Sequence, residues 1–192
     1  MSQTEAMDEL LTLHRVNADR FTLLVEAVGE HWSAPTPCTD WSVRDLVNHL
    51  TSEQLWAPEL LAGATIAEVG DKFDGDVLGE NPVASWRTAI AAPTAAFAQP
   101  DVSERTVSLS SGTRPAHEYL DEMVTDLAIH GWDLATALHV DETIDPQTVD
   151  RLLIEWTGRA AELRPPLYAA ALPTAASDDP QTRLLALFGR HA

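Results

Sequence analysis

Apolar residues recur every three or four positions over most of the chain, which is the spacing of amphipathic α-helices. The first stretch predicts a helix from about Glu5 to Glu30, and Pro35 and Pro37 forbid its continuation. Its apolar stripe consists of Leu10, Leu13, Val16, Leu24 and Val28. The chain therefore begins with a long helix that has one face suited to a core.

A second helix is predicted to start near Ser42, because Ser42 followed by Asp45 resembles a capping box. It runs past Leu55 and ends close to Pro58. A third helix is predicted over Pro82 to Phe97. These two helices add two more amphipathic segments that can pack on the first.

The fourth long helix is predicted from about Pro115 to Leu138, where apolar positions keep helical spacing. A fifth is predicted over Pro146 to Leu163 with Asp145 as its cap, and a last short helix over Gln181 to Phe188. Four long amphipathic helices with a long crossover predict an all-α four-helix bundle.

Two connections are distinctive. Residues 62–81 are rich in glycine and aspartate and indicate a long acidic loop. Residues 106–110 alternate polar and apolar, which fits either a short strand or an extended crossing segment. At this length the simplest organisation is one domain over 1–192, with a core at about 5–163 and a C-terminal appendage at 164–192.

The charge of the chain limits its partners. Thirty acidic against twelve basic residues give a formal charge of -18, which argues against nucleic acids and anionic membranes. The segment from Met1 to Glu9 lacks the basic start and apolar centre of an export signal, so a cytoplasmic location is expected. A single cysteine, Cys38, excludes an internal disulfide and a structural zinc site built on several thiolates.

The fourth helix carries a polar pair on its apolar side. On an ideal helix His130 lies within roughly 60° of Met123, Leu127 and Leu134, and Asp126 is one turn before it. An unpaired charge at such a position costs several kcal/mol, so both side chains need partners. A bound cation is one such partner, and an ordinary side-chain interaction between the two is the commoner alternative.

A catalytic cation needs about three protein ligands and an open position. His49, beside the Leu46 and Leu50 stripe of the second helix, is the candidate for the third ligand, although a lone histidine there is usually a satisfied core residue. Glu53, one turn further on, is a candidate base or spare ligand. Asp133 could orient a ligand, or it could be a solvated or capping acid.

Three motifs bracket most of the chain. They are Thr36–Leu50 (TPCTDWSVRDLVNHL), His130–Ala135 (HGWDLA) and Arg183–Arg190 (RLLALFGR). Together they resemble actinobacterial proteins related to the mycothiol-dependent maleylpyruvate isomerase N-terminal domain, within the DinB-like superfamily.

This resemblance implies a four-helix bundle that holds a divalent metal, usually zinc or nickel, through one histidine of the second helix and an acid-x-x-x-His pair of a later helix. The matching positions are His49, Asp126 and His130. The isomerase has glutamate where this chain has Asp126. The resemblance also implies mycothiol as a co-substrate.

The first functional hypothesis is a metal-dependent thiol transferase or isomerase, because a cation that binds a thiol deprotonates it and makes it a strong nucleophile. The thiol would attack an electrophilic small molecule, with Glu53 or Asp133 moving the proton. A hydrolase that uses metal-bound water and a non-enzymatic bundle that binds a ligand or partner remain alternatives. A homodimer is one of the oligomeric states left open.

The remaining reactive side chains are interpreted as structural. Cys38 has no histidine near it in sequence, so an inert buried thiol is the preferred interpretation and it is left out of the catalytic set. Five histidines without an evident partner are assigned to the surface: His14, His31, His117, His139 and His191.

Overall fold

A computed structural model describes residues 3–99, 101–110, 112–159 and 169–191. Its four long helices are α1 (Gln3–Ala27), α2 (Val43–Leu61), α4 (Pro82–Phe97) and α5 (Ala116–Leu138). Three shorter helices are α3 (Ile66–Val69), α6 (Pro146–Arg159) and α7 (Pro180–Leu187). Two strands, β1 (Thr106–Leu109) and β2 (Gly112–Pro115), and two single-turn 3-10 helices, at His31–Ser33 and Val102–Glu104, complete the described elements.

The four long helices form the bundle that the apolar spacing predicted. Helix α1 packs mainly on α4 and α5, and α2 packs mainly on the same two helices. Trp86 of α4 is fully buried, its ring centroid lies 4.7 Å from that of Phe21, and its Nε1 donates to Thr22 Oγ1 at 2.8 Å. The all-α expectation is therefore confirmed, with an interior built on large side chains from all four helices.

Helix α2 begins as its sequence predicted. Ser42 is the N-cap, and the capping box with Asp45 is complete, because each residue's side chain accepts a hydrogen bond from the other's backbone N–H. Pro58 lies inside the helix, which continues for one further turn to Leu61. The proline removes one backbone donor without ending the helix.

Side chains of α2 hold the acidic connection between α2 and α4 in place by hydrogen bonds. Arg44 donates to Asp76 Oδ2 at 2.8 Å, Asn48 Nδ2 donates to the Gly75 carbonyl at 2.8 Å, and Ser52 Oγ donates to the Phe73 carbonyl at 3.0 Å. Arg44, Asn48 and Ser52 are spaced by four residues and so share one face of the helix. Thus the predicted loop contains the short α3 and is held by side chains of α2.

The segment predicted at residues 106–110 forms a strand, which was one of the two predicted alternatives. Strand β1 pairs with β2 in an antiparallel hairpin, with Thr106 opposite Pro115 and Leu109 opposite Gly112. Val107 is the buried position of β1, as the alternation of polar and apolar residues requires. This hairpin leads directly into α5.

Two assignments on α1 are wrong. His14, assigned to the surface, is 1% exposed, whereas Val16, assigned to the apolar stripe, is 39% exposed. The buried stripe passes through Leu13, His14 and Asn17, and Asn17 Nδ2 donates to the Leu13 carbonyl at 2.8 Å. Because polar residues occupy part of that stripe, apolar spacing alone did not identify the buried face of α1 correctly.

The chain divides into two compact units, residues 1–139 and 140–192. In the second unit α6 contacts α7, and Thr148 N donates to Asp145 Oδ2 at 2.9 Å, which confirms the predicted cap. The predicted end of this helix at Leu163 lies outside the described residues. The single-domain assignment over 1–192, with a core at 5–163, stays a prediction.

Within the described ranges, no helix combines the length and the apolar character needed to cross a bilayer.

Candidate metal centre

Helices α2 and α5 bring together two of the three predicted ligands. His49 Nε2 lies 3.7 Å from Asp126 Oδ2. The side chains are 31% and 21% exposed, respectively, so the pair lies at the boundary between the bundle interior and solvent. The contact depends on the packing of α2 against α5, because the two residues are far apart in sequence.

His130, the third predicted ligand, lies deeper than the other two. Its ring is edge-on to that of His49, with centroids 5.5 Å apart, and the residue is 5% exposed. Its Nδ1 lies 3.0 Å from Asp133 Oδ2, and Asp133 is fully buried. Asp133 therefore faces the His130 ring, at the i+3 position expected for side chains on one helix face.

Trp41 lies beside both imidazoles. Its ring centroid is 4.8 Å from that of His49 and 5.6 Å from that of His130. Its position is set by backbone contacts before α2, where Thr36 N donates to the Trp41 carbonyl at 3.1 Å and Asp40 adopts a left-handed φ of 72°. The indole thus covers one side of the histidine pair.

Nearby charges act on the ionisation of these groups. Burial lowers the pKa of His49, but the Asp126 carboxylate and the charge of Glu53 outweigh it, so that the pKa lies above 6.5. Burial raises the pKa of Glu53, and the charges of Asp126 and Glu122 raise it further against the opposite effect of His49. A strongly negative field therefore surrounds the histidine.

Tyr119 belongs to the same region, and the sequence reasoning missed it. The residue is 4% exposed, and its hydroxyl has no hydrogen-bond partner among the described residues. Burial raises its pKa well above 10, and the charges of Glu53, Glu122 and Asp126 act in the same direction. The spacing of Tyr119, Glu122 and Asp126 on α5 is the signal that could have found it.

Cys38 is also closer to this centre than the sequence indicated. Its Sγ, a ring nitrogen of His130 and a carboxylate oxygen of Asp133 all lie within 4.8 Å of one another. Cys38 is half-buried, and the histidine that its sequence neighbourhood lacked comes from α5. Leaving Cys38 out of the site therefore overlooked a neighbour that only the tertiary fold provides.

The predicted trio fits a divalent cation in its donor chemistry. Two imidazoles and one carboxylate are ligands that zinc and nickel accept. Ligand atoms on one tetrahedral zinc lie roughly 3.3–3.6 Å apart, from bond lengths of about 2.0–2.2 Å. The separation of 3.7 Å between His49 Nε2 and Asp126 Oδ2 requires a movement of only a few tenths of an ångström to match. The three donor atoms of the trio do not all lie within 4.8 Å of one another, so His130 has to move further than this pair to share a cation with it.

Comparison with known proteins agrees with the fold and with the motifs. Two uncharacterized proteins of Mycobacterium tuberculosis, from strains CDC 1551 / Oshkosh and ATCC 25618 / H37Rv, are each 29% identical to this chain over 191 residues. The alignments cover 96% of this chain and 98% of the relatives. No solved structure matches the chain significantly.

The family described as "Mycothiol maleylpyruvate isomerase N-terminal domain" matches residues 14–135, which is more than half of the chain. The match begins within α1, covers α2 and α4 in full and ends within α5, and it includes His49, Glu53, Asp126, His130 and Asp133. The chain belongs to the mycothiol maleylpyruvate isomerase N-terminal domain family.

Proposed function

We propose that this protein is a divalent-metal-dependent enzyme that uses a low-molecular-weight thiol, with His49, Asp126 and His130 as the metal ligands. The observation that supports this most strongly is the approach of α2 to α5 at this point, with 3.7 Å between His49 Nε2 and Asp126 Oδ2 and 5.5 Å between the ring centroids of His49 and His130. Zinc and nickel are the cations that suit this donor set best. Membership of a mycothiol-associated family makes mycothiol the preferred thiol.

When bound, the cation would supply positive charge that lowers the pKa of a coordinated thiol and so makes it a nucleophile at neutral pH. The protein's own contribution begins with Asp133. Its carboxylate accepts a hydrogen bond from His130 Nδ1–H, which fixes the ring orientation and leaves Nε2 as the nitrogen available to a cation. Trp41 excludes water from one side of the two imidazoles.

Glu53 is the proposed proton carrier. It is one turn after His49 on α2 and interacts with the charges of His49 and Asp126. In this role it accepts the proton of the incoming thiol. The thiol sulfur bonds to the electrophilic carbon of an activated C=C double bond in the second substrate, and the π electrons of that bond pass to its other carbon, which takes the proton. Glu53 then returns the proton to the product. Tyr119 is acted on by the charges of Glu53 and Asp126, and in this proposal its buried hydroxyl donates a hydrogen bond to a substrate oxygen.

The direct test is a turnover assay with metal-loaded protein, mycothiol and maleylpyruvate, extended to other small electrophiles that carry an activated double bond. Product formation is expected to require both metal and thiol, and Glu53→Gln should reduce kcat more than it reduces metal content. Glu118→Gln, which alters an α5 carboxylate paired with Arg114, is the matched control and should behave as wild type. Turnover that needs metal and no thiol would favour a hydrolase, and a fully metal-loaded protein without turnover would favour a binding role.

Asp133→Asn is expected to weaken metal binding about 10- to 100-fold. The amide oxygen of asparagine carries no full negative charge, so it accepts the hydrogen bond from His130 Nδ1–H more weakly than the carboxylate does. Isothermal titration of the metal-free protein with zinc or nickel measures this change. Asp121→Asn, at another buried aspartate of α5, is the control and should keep wild-type affinity. Equal affinities in Asp133→Asn and wild type would remove Asp133 from the site.

The remaining parts of the proposal come from composition and resemblance. A cytoplasmic location and a homodimeric state stay predictions, as does the absence of nucleic-acid partners. The hydrolase and the non-enzymatic bundle remain the alternatives that the turnover assay separates.

A further inference from the structure

A second set of metal-ligand atoms lies beside His130, outside the predicted trio. Cys38 Sγ, a His130 ring nitrogen and an Asp133 carboxylate oxygen lie within 4.8 Å of one another. Among the residues that the structure describes, no other three side chains of the types His, Cys, Asp and Glu bring their donor atoms so close together. Two of the three, His130 and Asp133, are buried.

The backbone holds Cys38 in this position. Its carbonyl accepts hydrogen bonds from Trp41 N at 3.0 Å and from Thr36 Oγ1 at 3.1 Å. An isolated antiparallel β-bridge between Pro35 and Ser42 joins the two ends of this segment. The thiol is therefore presented by a short, hydrogen-bonded loop, whereas the other two donors are fixed one turn apart on α5.

The three donor types form a combination that zinc binds well. A thiolate, an imidazole and a carboxylate provide three protein ligands and leave a fourth position for an exogenous molecule. Atoms bound to one tetrahedral zinc lie roughly 3.3–3.6 Å apart, from bond lengths of about 2.0–2.3 Å. The 3.0 Å between His130 Nδ1 and Asp133 Oδ2 is a few tenths of an ångström below this range, and Cys38 Sγ requires a movement of at most roughly 1.5 Å to enter it.

We propose that Cys38, His130 and Asp133 form a second divalent-cation site, which uses a thiolate donor and takes thiophilic cations such as zinc and cobalt. The site differs from the His49, Asp126 and His130 centre in two of its three ligands. A neutral imidazole has one nitrogen lone pair, so His130 serves one cation at a time. The two sites are therefore alternatives, and the thiolate makes the second one the more selective for soft metals.

Cobalt binding to the full-length protein tests this site, because a thiolate bound to Co²⁺ produces a sulfur-to-metal charge-transfer band in the near ultraviolet. Metal-free wild-type protein titrated with cobalt chloride is expected to develop this band up to saturation. Cys38→Ser should lose the band completely, and His49→Ala should retain it. Far-ultraviolet circular dichroism of each variant shows that the bundle is intact.

Three outcomes would overturn the site: cobalt-bound wild type without a thiolate band, no cobalt binding at all, or a band that disappears in His49→Ala. The last result would place the sulfur on the cation held by His49 and Asp126. The experiment also separates this inference from the proposed function, because Cys38→Ser leaves the predicted trio complete and His49→Ala leaves the thiolate site complete. A second measurement is the alkylation rate of Cys38, which zinc should slow in wild type and leave unchanged in Asp133→Asn.

Discussion

Replacing His49, Asp126 or His130 singly by alanine, in a Cys38→Ser background, is expected to lower the amount of metal bound to the protein while leaving helical content largely intact. Each residue supplies one of three ligands, and the remaining two do not hold a divalent cation firmly. Alanine is the best helix former, so the changes on α2 and α5 do not break these helices. This is the largest effect that we expect from any single substitution.

The measurement is the metal content of each variant by elemental analysis after loading and dialysis, with circular dichroism for helical content. It is made both in the wild-type background and in Cys38→Ser, in which the thiolate site can no longer take up the released metal. Glu118→Ala on α5 is the control. Equal metal content in the three variants and the control, measured in the Cys38→Ser background, would refute the assignment of the trio.

Acidification is expected to destabilise the protein through His14. Burial lowers the pKa of His14 to about 4, with Gln54 acting in the opposite direction and Arg15 in the same one. Because the unfolded state has the ordinary pKa of about 6.5, it binds the proton more tightly than the folded state does. The stability contribution is therefore fully present above pH 6.5 and is lost as the pH falls from 6.5 towards 4.

The size of this effect follows from the two pKa values. His14 lowers the free energy of unfolding by about 3 kcal/mol when the pH reaches 4, and about 2 kcal/mol of this is already lost at pH 5. Chemical denaturation at pH 7 and pH 5 measures it. His14→Gln, which keeps a polar side chain and cannot titrate, should lose about 2 kcal/mol less than wild type between these two pH values.

The exposed His31 provides the matched control, since His31→Gln removes a histidine from the surface. The His31→Gln variant should lose as much free energy of unfolding as wild type does between pH 7 and pH 5. If His14→Gln and wild type lose the same free energy of unfolding between pH 7 and pH 5, His14 does not have the lowered pKa that its burial gives it.

The apolar spacing predicted the bundle well, because helices α4 and α5 keep a regular stripe and end at clear breaks. The prediction for Pro82 to Phe97 coincides with α4, and the one for Pro115 to Leu138 begins one residue before α5. The Ser42 and Asp45 pattern also predicted the start of α2, since a capping box is a local interaction between residues three positions apart.

The wrong assignments concern residues whose surroundings come from other helices. His14 was assigned to the surface, although it lies four residues after Leu10 and so near the buried stripe of α1. Gln54 of α2 acts on the pKa of His14 from the facing helix, and no local pattern reveals this approach. Burial of a polar side chain depends on the facing helix, and the sequence of one helix does not contain that information.

The centre itself was predictable in part. The spacing of Asp126 and His130 placed both on one side of α5. The apolar stripe of α2 made His49 the candidate for the third ligand, and the resemblance gave the same residue, whose Nε2 lies 3.7 Å from Asp126 Oδ2. The approach of Cys38 to His130 was not predictable, because it depends on a turn before α2 that includes the left-handed Asp40. Whether these side chains bind metal is the question on which the proposed function depends.

Elemental analysis of the purified, untagged wild-type protein by inductively coupled plasma mass spectrometry tests that claim most directly, because it requires no choice of substrate. The account predicts a near-stoichiometric divalent metal, zinc or nickel first. Absence of bound metal, even after incubation with divalent ions and dialysis, would contradict the metal centre and leave a helical bundle that acts by binding alone.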